Sequence, residues 1–218
     1  MNDGYEIIAG VLTPAECDRL IADLQETARS RAGARHLMSK AAVSGIACDE
    51  RLLSIARSAL GGHAIPFRAT LFEKTGAKNW LIAWHQDTAL PLRLKFDAPG
   101  WGPWSVKQGI DYAHAPAWAL SRVVALRVHL DASTSENGPL RVVPRSHLNG
   151  VLSDIDVLNC TDSHDEVECP VPRGGVLAMR PLLIHSSSKC LSEDPRRVLH
   201  IEYADSLNLA SGINLAIA

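Results

Sequence analysis

Leu81-Ile82-Ala83-Trp84-His85-Gln86-Asp87 is the stretch that decides how this chain folds. An apolar run of strand-forming residues ends in a polar triplet. Residues two apart on a strand face the same side, so His85 and Asp87 point one way and Gln86 the other. Two metal-binding side chains can then project from the end of a buried strand. Alone the spacing is a weak signal, because a histidine at a strand end is more often packed or exposed than a ligand.

A hundred residues further on, Pro181-Leu182-Leu183-Ile184 leads into His185-Ser186-Ser187-Ser188 and places a second imidazole at the end of another apolar run. His85, Asp87 and His185 together form the ligand set of a 2-His-1-carboxylate facial triad. Such a triad holds ferrous iron on one face and leaves the other open. Arg196 and Arg197 follow Pro195, the first of them eleven residues past His185. Strand alternation sends them to opposite faces, and Arg196 is expected to face inward, where its fork can grip a carboxylate through two parallel bonds. The plain alternative is two surface arginines at a turn. His129 and His200 lie on expected strands and read as core or supporting residues. His164, in the acidic stretch 162–168, reads as part of a solvated loop.

Outward from these residues the chain divides by period. Thr13-Pro14-Ala15-Glu16 carries a capping box, and Cys17, Leu20, Ile21, Leu24 and Ala28 follow at helical spacing. A second helix is expected over 49–60, closed by Gly61-Gly62. Strands are expected over 65–74, 80–85, 122–131, 140–144, 175–180, 182–185 and 197–204, with turns at Thr75-Gly76-Ala77-Lys78 and Glu136-Asn137-Gly138-Pro139. Helices first and strands later predict a mainly β jelly roll, cupin-like, with helices packed on one side. One domain over 1–218 is expected, with a helical part at about 13–62 and a β core at about 64–205. Residues 88–118 hold four prolines together with Trp101, Trp104, Tyr112 and Trp118. They read as a long loop that walls or covers the site, or as an excursion whose tryptophans plug one end of the sandwich.

Composition narrows the partners. With 218 residues, 46% hydrophobic, 21% charged and a net charge of −2, the chain has no basic footprint for nucleic acid. No apolar run reaches membrane-spanning length, and the first residues lack a signal-peptide pattern. Five scattered cysteines, without Cys-x-x-Cys, suit free thiols in a reducing cytoplasm.

Trp84-His85-Gln86-Asp87, the run Asn137-Gly138-Pro139-Leu140-Arg141-Val142-Val143-Pro144-Arg145-Ser146-His147, and His185 with Arg196 together resemble the phytanoyl-CoA dioxygenase family from about Arg68 to Tyr203. The resemblance implies a double-stranded β-helix with Fe(II) on His85, Asp87 and His185. It also implies 2-oxoglutarate as co-substrate, its far carboxylate on Arg196 with help from Ser187. Thr70 and Arg127 align with positions that line the co-substrate pocket. Arg145 stands where the family's turn commonly has glycine. The activity implied is oxidation of a small molecule by dioxygen, hydroxylation being favoured over halogenation because Asp87 keeps its carboxylate. Two alternatives stay open: a cupin-type metalloenzyme that does not use 2-oxoglutarate, and a catalytically silent β-helix domain that binds a small molecule or partner. The substrate and the oligomeric state do not follow from the resemblance.

Overall fold

A computed structural model describes residues 1–27, 33–74 and 81–218. Ala28, the turn expected at Thr75-Gly76-Ala77-Lys78, and Trp80 lie outside the described residues. A six-stranded antiparallel sheet forms the back of the molecule, ordered Tyr5–Ile8, Val176–Met179, Val123–His129, Arg196–Ala204, Ile65–Lys74, Gly33–Ala34. A four-stranded sheet faces it, ordered Val167–Cys169, Leu140–Val142, His185–Ser187, Ile82–His85. This is the jelly roll that the order of elements predicts.

The two faces of the large sheet differ because alternate residues differ. Val124, Leu126, Val128, Leu199, Ile201 and Tyr203 pack into one apolar core with the helices. That core draws on Cys17 and Leu20 from the helix Pro14–Asp23, Val43 and Ala47 from Ala41–Ala47, and Leu52 and Ala56 from Glu50–Leu60. The intervening positions carry Arg127, His129, Arg196, His200 and Glu202, all buried. An apolar face against helices and a polar face inside the roll is what a functional interior demands, since a buried charge is tolerated only when paired or awaiting a partner. The capping box at Thr13 and Glu16 is present, Gly61 ends the Glu50–Leu60 helix as its sequence predicts, and Asp49, expected as the first helical residue, is its N-cap.

Three expectations need correction. Residues 182–185 do not form a strand: the strand is His185–Ser187, and 182–184 run from a turn at Pro181–Leu182 through irregular backbone. Leu182, Leu183 and Ile184 bury themselves in three different apolar clusters, so their run reflects burial on several sides and not a pleat. Residues 88–118 are not a loop. They contain the strands Ala89–Leu92, Trp104–Lys107 and Ile110–His114, which form a separate sheet, and the short helix Ala117–Leu120. Pro91 sits on an edge strand of that sheet, where proline is tolerated. The acidic stretch is not one solvated loop either. The helix Asp154–Ser163, capped by Ser153, enters it and the strand Val167–Cys169 leaves it.

Further elements were not expected, among them the helix Ala41–Ala47 and the edge strand Tyr5–Ile8. None of the five cysteines forms a disulfide with another described residue. No helix among the described residues is long and apolar enough to cross a membrane. Arg145 adopts a left-handed φ of 67°, so it takes the backbone shape that glycine takes readily.

Candidate metal centre

The site begins with strand register. His185 lies directly opposite His85 in the antiparallel pair of His185–Ser187 and Ile82–His85, which brings the ring centroids to 4.2 Å. Each ring's Nδ1–H donates to the carbonyl two residues back, His85 to Ala83 at 2.8 Å and His185 to Leu183 at 2.9 Å. That bond sets the tautomer and leaves both Nε2 lone pairs free for a metal. Asp87 completes the set: its Oδ1 is 3.7 Å from His85 Nε2 and its Oδ2 is 3.6 Å from His185 Nε2. One donor atom from each residue can be chosen so that all three lie within 4.8 Å of one another. Ligands at about 2.1 Å from one ion and about 90° apart would sit about 3.0 Å from each other, so a small inward movement suffices. The donor set therefore fits a divalent transition metal.

The electrostatics agree. Burial, together with the neighbouring His85, pushes His185 down to about 3, so the ring is neutral and able to coordinate. Burial works to raise the Asp87 carboxyl, but His185, His85, His200 and Arg68 outweigh it and hold it well below the usual carboxylate range. Gln86 faces away, as alternation predicts, and serves as a clamp. Its Nε2 donates to the carbonyls of Gly150 (2.9 Å) and Leu182 (2.8 Å), and its Oε1 accepts from the Leu152 N–H (2.9 Å). The Asp87 N–H donates to the Pro181 carbonyl. The two ligand-bearing segments are thus tied together at the site itself.

Arg196 is buried inside the roll, whereas Arg197 forms an ion pair with Asp131. Arg196 Nη2 donates to Ser187 Oγ at 3.3 Å, and its Nε and Nη1 have no hydrogen-bond partner among the described residues. Burial, with Arg127 nearby, lowers the guanidinium to about 9. Lys74 lies opposite Arg196 in register and donates to Ser187 Oγ (2.8 Å) and to the Ser188 carbonyl (2.6 Å). Ser187 Oγ donates in turn to the Gly138 carbonyl at 2.8 Å. Gly138 has a φ of 70°, and a Cβ there would meet the Ser188 carbonyl oxygen at 2.4 Å, so the close approach needs glycine.

Thr70 and Arg127 flank His200 in register on its two sides. Arg127 Nη1 donates to His200 Nδ1, which leaves Nε2–H to donate to Glu202. Glu202 pairs with Arg68. A pocket of about 120 Å³ beside Asp87 is lined by Thr70, Phe72, His200, Arg68, Tyr112 and Lys107, with Arg35 at its rim. A larger cavity, about 410 Å³, among Met1, Leu120, His147 and Leu182, contains none of the triad.

Sequence reasoning did not single out Lys74, Gln86, Lys107 or Arg35, whereas Tyr112, named in the stretch expected to wall the site, does line the small pocket beside Asp87. Lys74 could have been found, because alternation puts it on the same face as Thr70. The tryptophans of 88–118 do not line the small pocket. Trp101 and Trp104 pack edge-on against Phe96, and Trp118 packs on Trp101.

With this geometry in place, likeness to known proteins becomes informative. The family model described as phytanoyl-CoA dioxygenase (PhyH) matches residues 1–198. The chain belongs to the phytanoyl-CoA dioxygenase family. A curated relative, L-proline trans-4-hydroxylase from Streptomyces griseoviridis, is 27% identical over 178 residues, covering 70% of this chain. The chain spans 59% of that enzyme's length.

Among solved structures, the epimerase SnoN in complex with Fe3+, alpha ketoglutarate and nogalamycin RO has a TM-score of 0.72 at 18% identity, covering 94% of this chain and 80% of its own. AviO1 from Streptomyces viridochromogenes Tue57 has a TM-score of 0.65 at 23% identity, covering 94% and 90%. These likenesses show the shared fold, and the family supplies the context for the His-Asp-His set.

Proposed function

We propose that this family member is an Fe(II)- and 2-oxoglutarate-dependent oxygenase that hydroxylates an unactivated C–H bond of a small molecule. Bound at the site, the iron and 2-oxoglutarate supply the oxidising chemistry, which consumes dioxygen and releases succinate and carbon dioxide. His85, Asp87 and His185 would hold the iron. Arg196 would take the far carboxylate of 2-oxoglutarate, with Ser187 beside it, and Thr70 and Arg127 would line the rest of that pocket.

One observation carries this reading. Arg196 is a buried cation with two donors, Nε and Nη1, lacking a partner among the described residues. A buried guanidinium is costly unless a carboxylate completes it. A cupin-type enzyme without 2-oxoglutarate would have no use for such a group on the inner face. A silent binding domain would have no use for two imidazoles whose Nε2 atoms are oriented towards one carboxylate.

The protein's own work is placement. The paired Nδ1–H bonds fix the tautomer and aim of both imidazoles, and the Gln86 clamp fixes the spacing of the two segments. Loading the protein with Fe(II) and 2-oxoglutarate under nitrogen tests this. A visible charge-transfer band, bleached on admission of air, is expected. An iron-loaded protein that does not bind 2-oxoglutarate at millimolar concentration would favour the cupin alternative.

A further inference from the structure

Charge in the small pocket beside Asp87 is unbalanced. Its wall holds three cations, Arg35, Arg68 and Lys107. Arg68 is already committed, to Glu202 and, through Nη1, to the Ala89 carbonyl at 2.8 Å. Arg35 and Lys107 have no carboxylate within ion-pair distance among the described residues. Asp87 and Glu202 are the acidic groups nearby, so the balance is three positive against two negative. A divalent metal and a 2-oxoglutarate dianion would cancel each other and leave one positive charge over.

These cations are held in place. Lys107 is the last residue of Trp104–Lys107, and the strand turns back to Ile110–His114 through Gln108 and Gly109, whose φ values of 49° and 82° belong to a tight two-residue hairpin. Lys107 Nζ sits 4.5 Å from the centroid of the Tyr112 ring. Tyr112 Oη is 2.9 Å from His36 Nε2, which anchors the segment carrying Arg35 to the same wall. His36 itself adopts a left-handed φ of 58°. Besides burial, the crowding is visible in the titration of the neighbours: Arg35, Arg68 and Lys107 all lower His36, and Arg68 and Arg35 lower Lys107. An incoming anion would relieve it.

We propose that the oxidisable substrate carries an oxyanion, a carboxylate or a phosphate monoester, that binds between Arg35 and Lys107 at the mouth of the Asp87 pocket. This rests on the oxygenase function above and adds the substrate class. The anion anchors one end of a small molecule at the rim, and the C–H bond to be oxidised extends inward past Tyr112 towards the open side of the triad.

The test uses the protein loaded with zinc, a diamagnetic stand-in for Fe(II), and with saturating 2-oxoglutarate so that Arg196 is occupied. Arginine Nε and lysine Nζ signals are followed by NMR during separate titrations with acetate, inorganic phosphate and neutral acetamide. Saturable shifts at Arg35 and Lys107 with acetate or with phosphate, and none with acetamide, are expected. Whichever salt saturates at lower concentration identifies the carboxylate or the phosphate class. The Arg35→Gln/Lys107→Gln variant, altered at partly exposed positions, should keep the wild-type amide spectrum and bind the anion at least tenfold more weakly. Shifts that stay linear in both salts, match those with acetamide, or persist unchanged in the variant would overturn the proposal. Binding of 2-oxoglutarate is measured first in the same sample. Its failure removes the oxygenase function, and the anion titration then stands on the zinc-loaded protein alone.

Discussion

His85 and His185 face each other directly across one antiparallel strand pair, with ring centroids 4.2 Å apart and each Nδ1–H bonded to the carbonyl two residues back. The same local device on both strands presents both Nε2 atoms to Asp87. A cross-strand pair holds its spacing through the ladder hydrogen bonds, so the imidazoles are set before any metal arrives and only Asp87 closes the third side.

Replacing Asp87 with Ala should therefore abolish metal retention without unfolding the protein. Changes that merely disturb a ligand's support cost about 10–100-fold in affinity, and loss of the anionic ligand should exceed that. Metal content after dialysis and the thermal melt of the metal-free variant report the two halves. A variant that keeps stoichiometric iron would place the metal elsewhere.

Arg196→Lys and Arg197→Lys should separate cleanly. Arg196 is buried with unpartnered donors, so the shorter, single-point ammonium should weaken 2-oxoglutarate binding by about 10–100-fold, the equivalent of about 1.5–3 kcal/mol for a hydrogen bond to a charged group. Arg197 pairs with Asp131 at a partly exposed position, and its change should cost no more than about 1 kcal/mol of stability and leave binding alone. Calorimetric titration of both variants decides it; equal effects would contradict the inward assignment of Arg196.

Gln86→Ala should loosen the whole centre. The substitution strands the Gly150 and Leu182 carbonyls and the Leu152 N–H, at a cost of about 1–3 kcal/mol. Metal affinity should fall with it, because the clamp ties the His185 segment to the His85 segment. Urea unfolding and zinc competition measure the two effects, and a normal metal affinity in a destabilised protein would assign Gln86 to folding alone.

Stability of the metal-free protein should fall as the pH drops below about 6.5. Burial holds His185 at about 3 and keeps His129 well below its ordinary value. Between those values and 6.5 the unfolded chain binds protons that the folded chain refuses, so stability rises with pH through that window. His185 alone should cost about 2 kcal/mol at pH 5 relative to neutral pH. Asp87, held low, acts in the same direction further down. Urea denaturation at pH 5.0 and 7.5 checks the sign; a protein more stable at pH 5.0 would mean that these rings are charged in the native state.

Arg145→Gly should raise the melting temperature. Arg145 holds a left-handed φ of 67° on an exposed turn, a conformation that costs a side-chain-bearing residue about 1–2 kcal/mol. Part of the gain is offset by the greater freedom of glycine in the unfolded chain, leaving about 1 kcal/mol or less of net stabilisation. A lower melting temperature would show that the Arg145 side chain contributes contacts that outweigh the strain.

What could be read from the chain by itself was whatever a local period carries. Alternation placed His85 and Asp87 on one side, sent Gln86 to the other and separated Arg196 from Arg197. The capping box at Thr13 marked the start of one helix and Gly61 the end of another, and the strand-rich second half pointed to a jelly roll. The tertiary structure decided what depends on neighbours distant in sequence. Leu182-Leu183-Ile184 looked like a strand because all three are apolar, yet each is buried in a different cluster. Residues 88–118 looked like a loop because prolines and tryptophans mask short alternating strands, whose pairing comes only from closing a separate sheet. Lys74 beside Arg196, and Arg35 beside Lys107 across the Tyr112–His36 contact, are brought together by register and packing between segments far apart in the chain, and no spacing within either segment encodes that meeting.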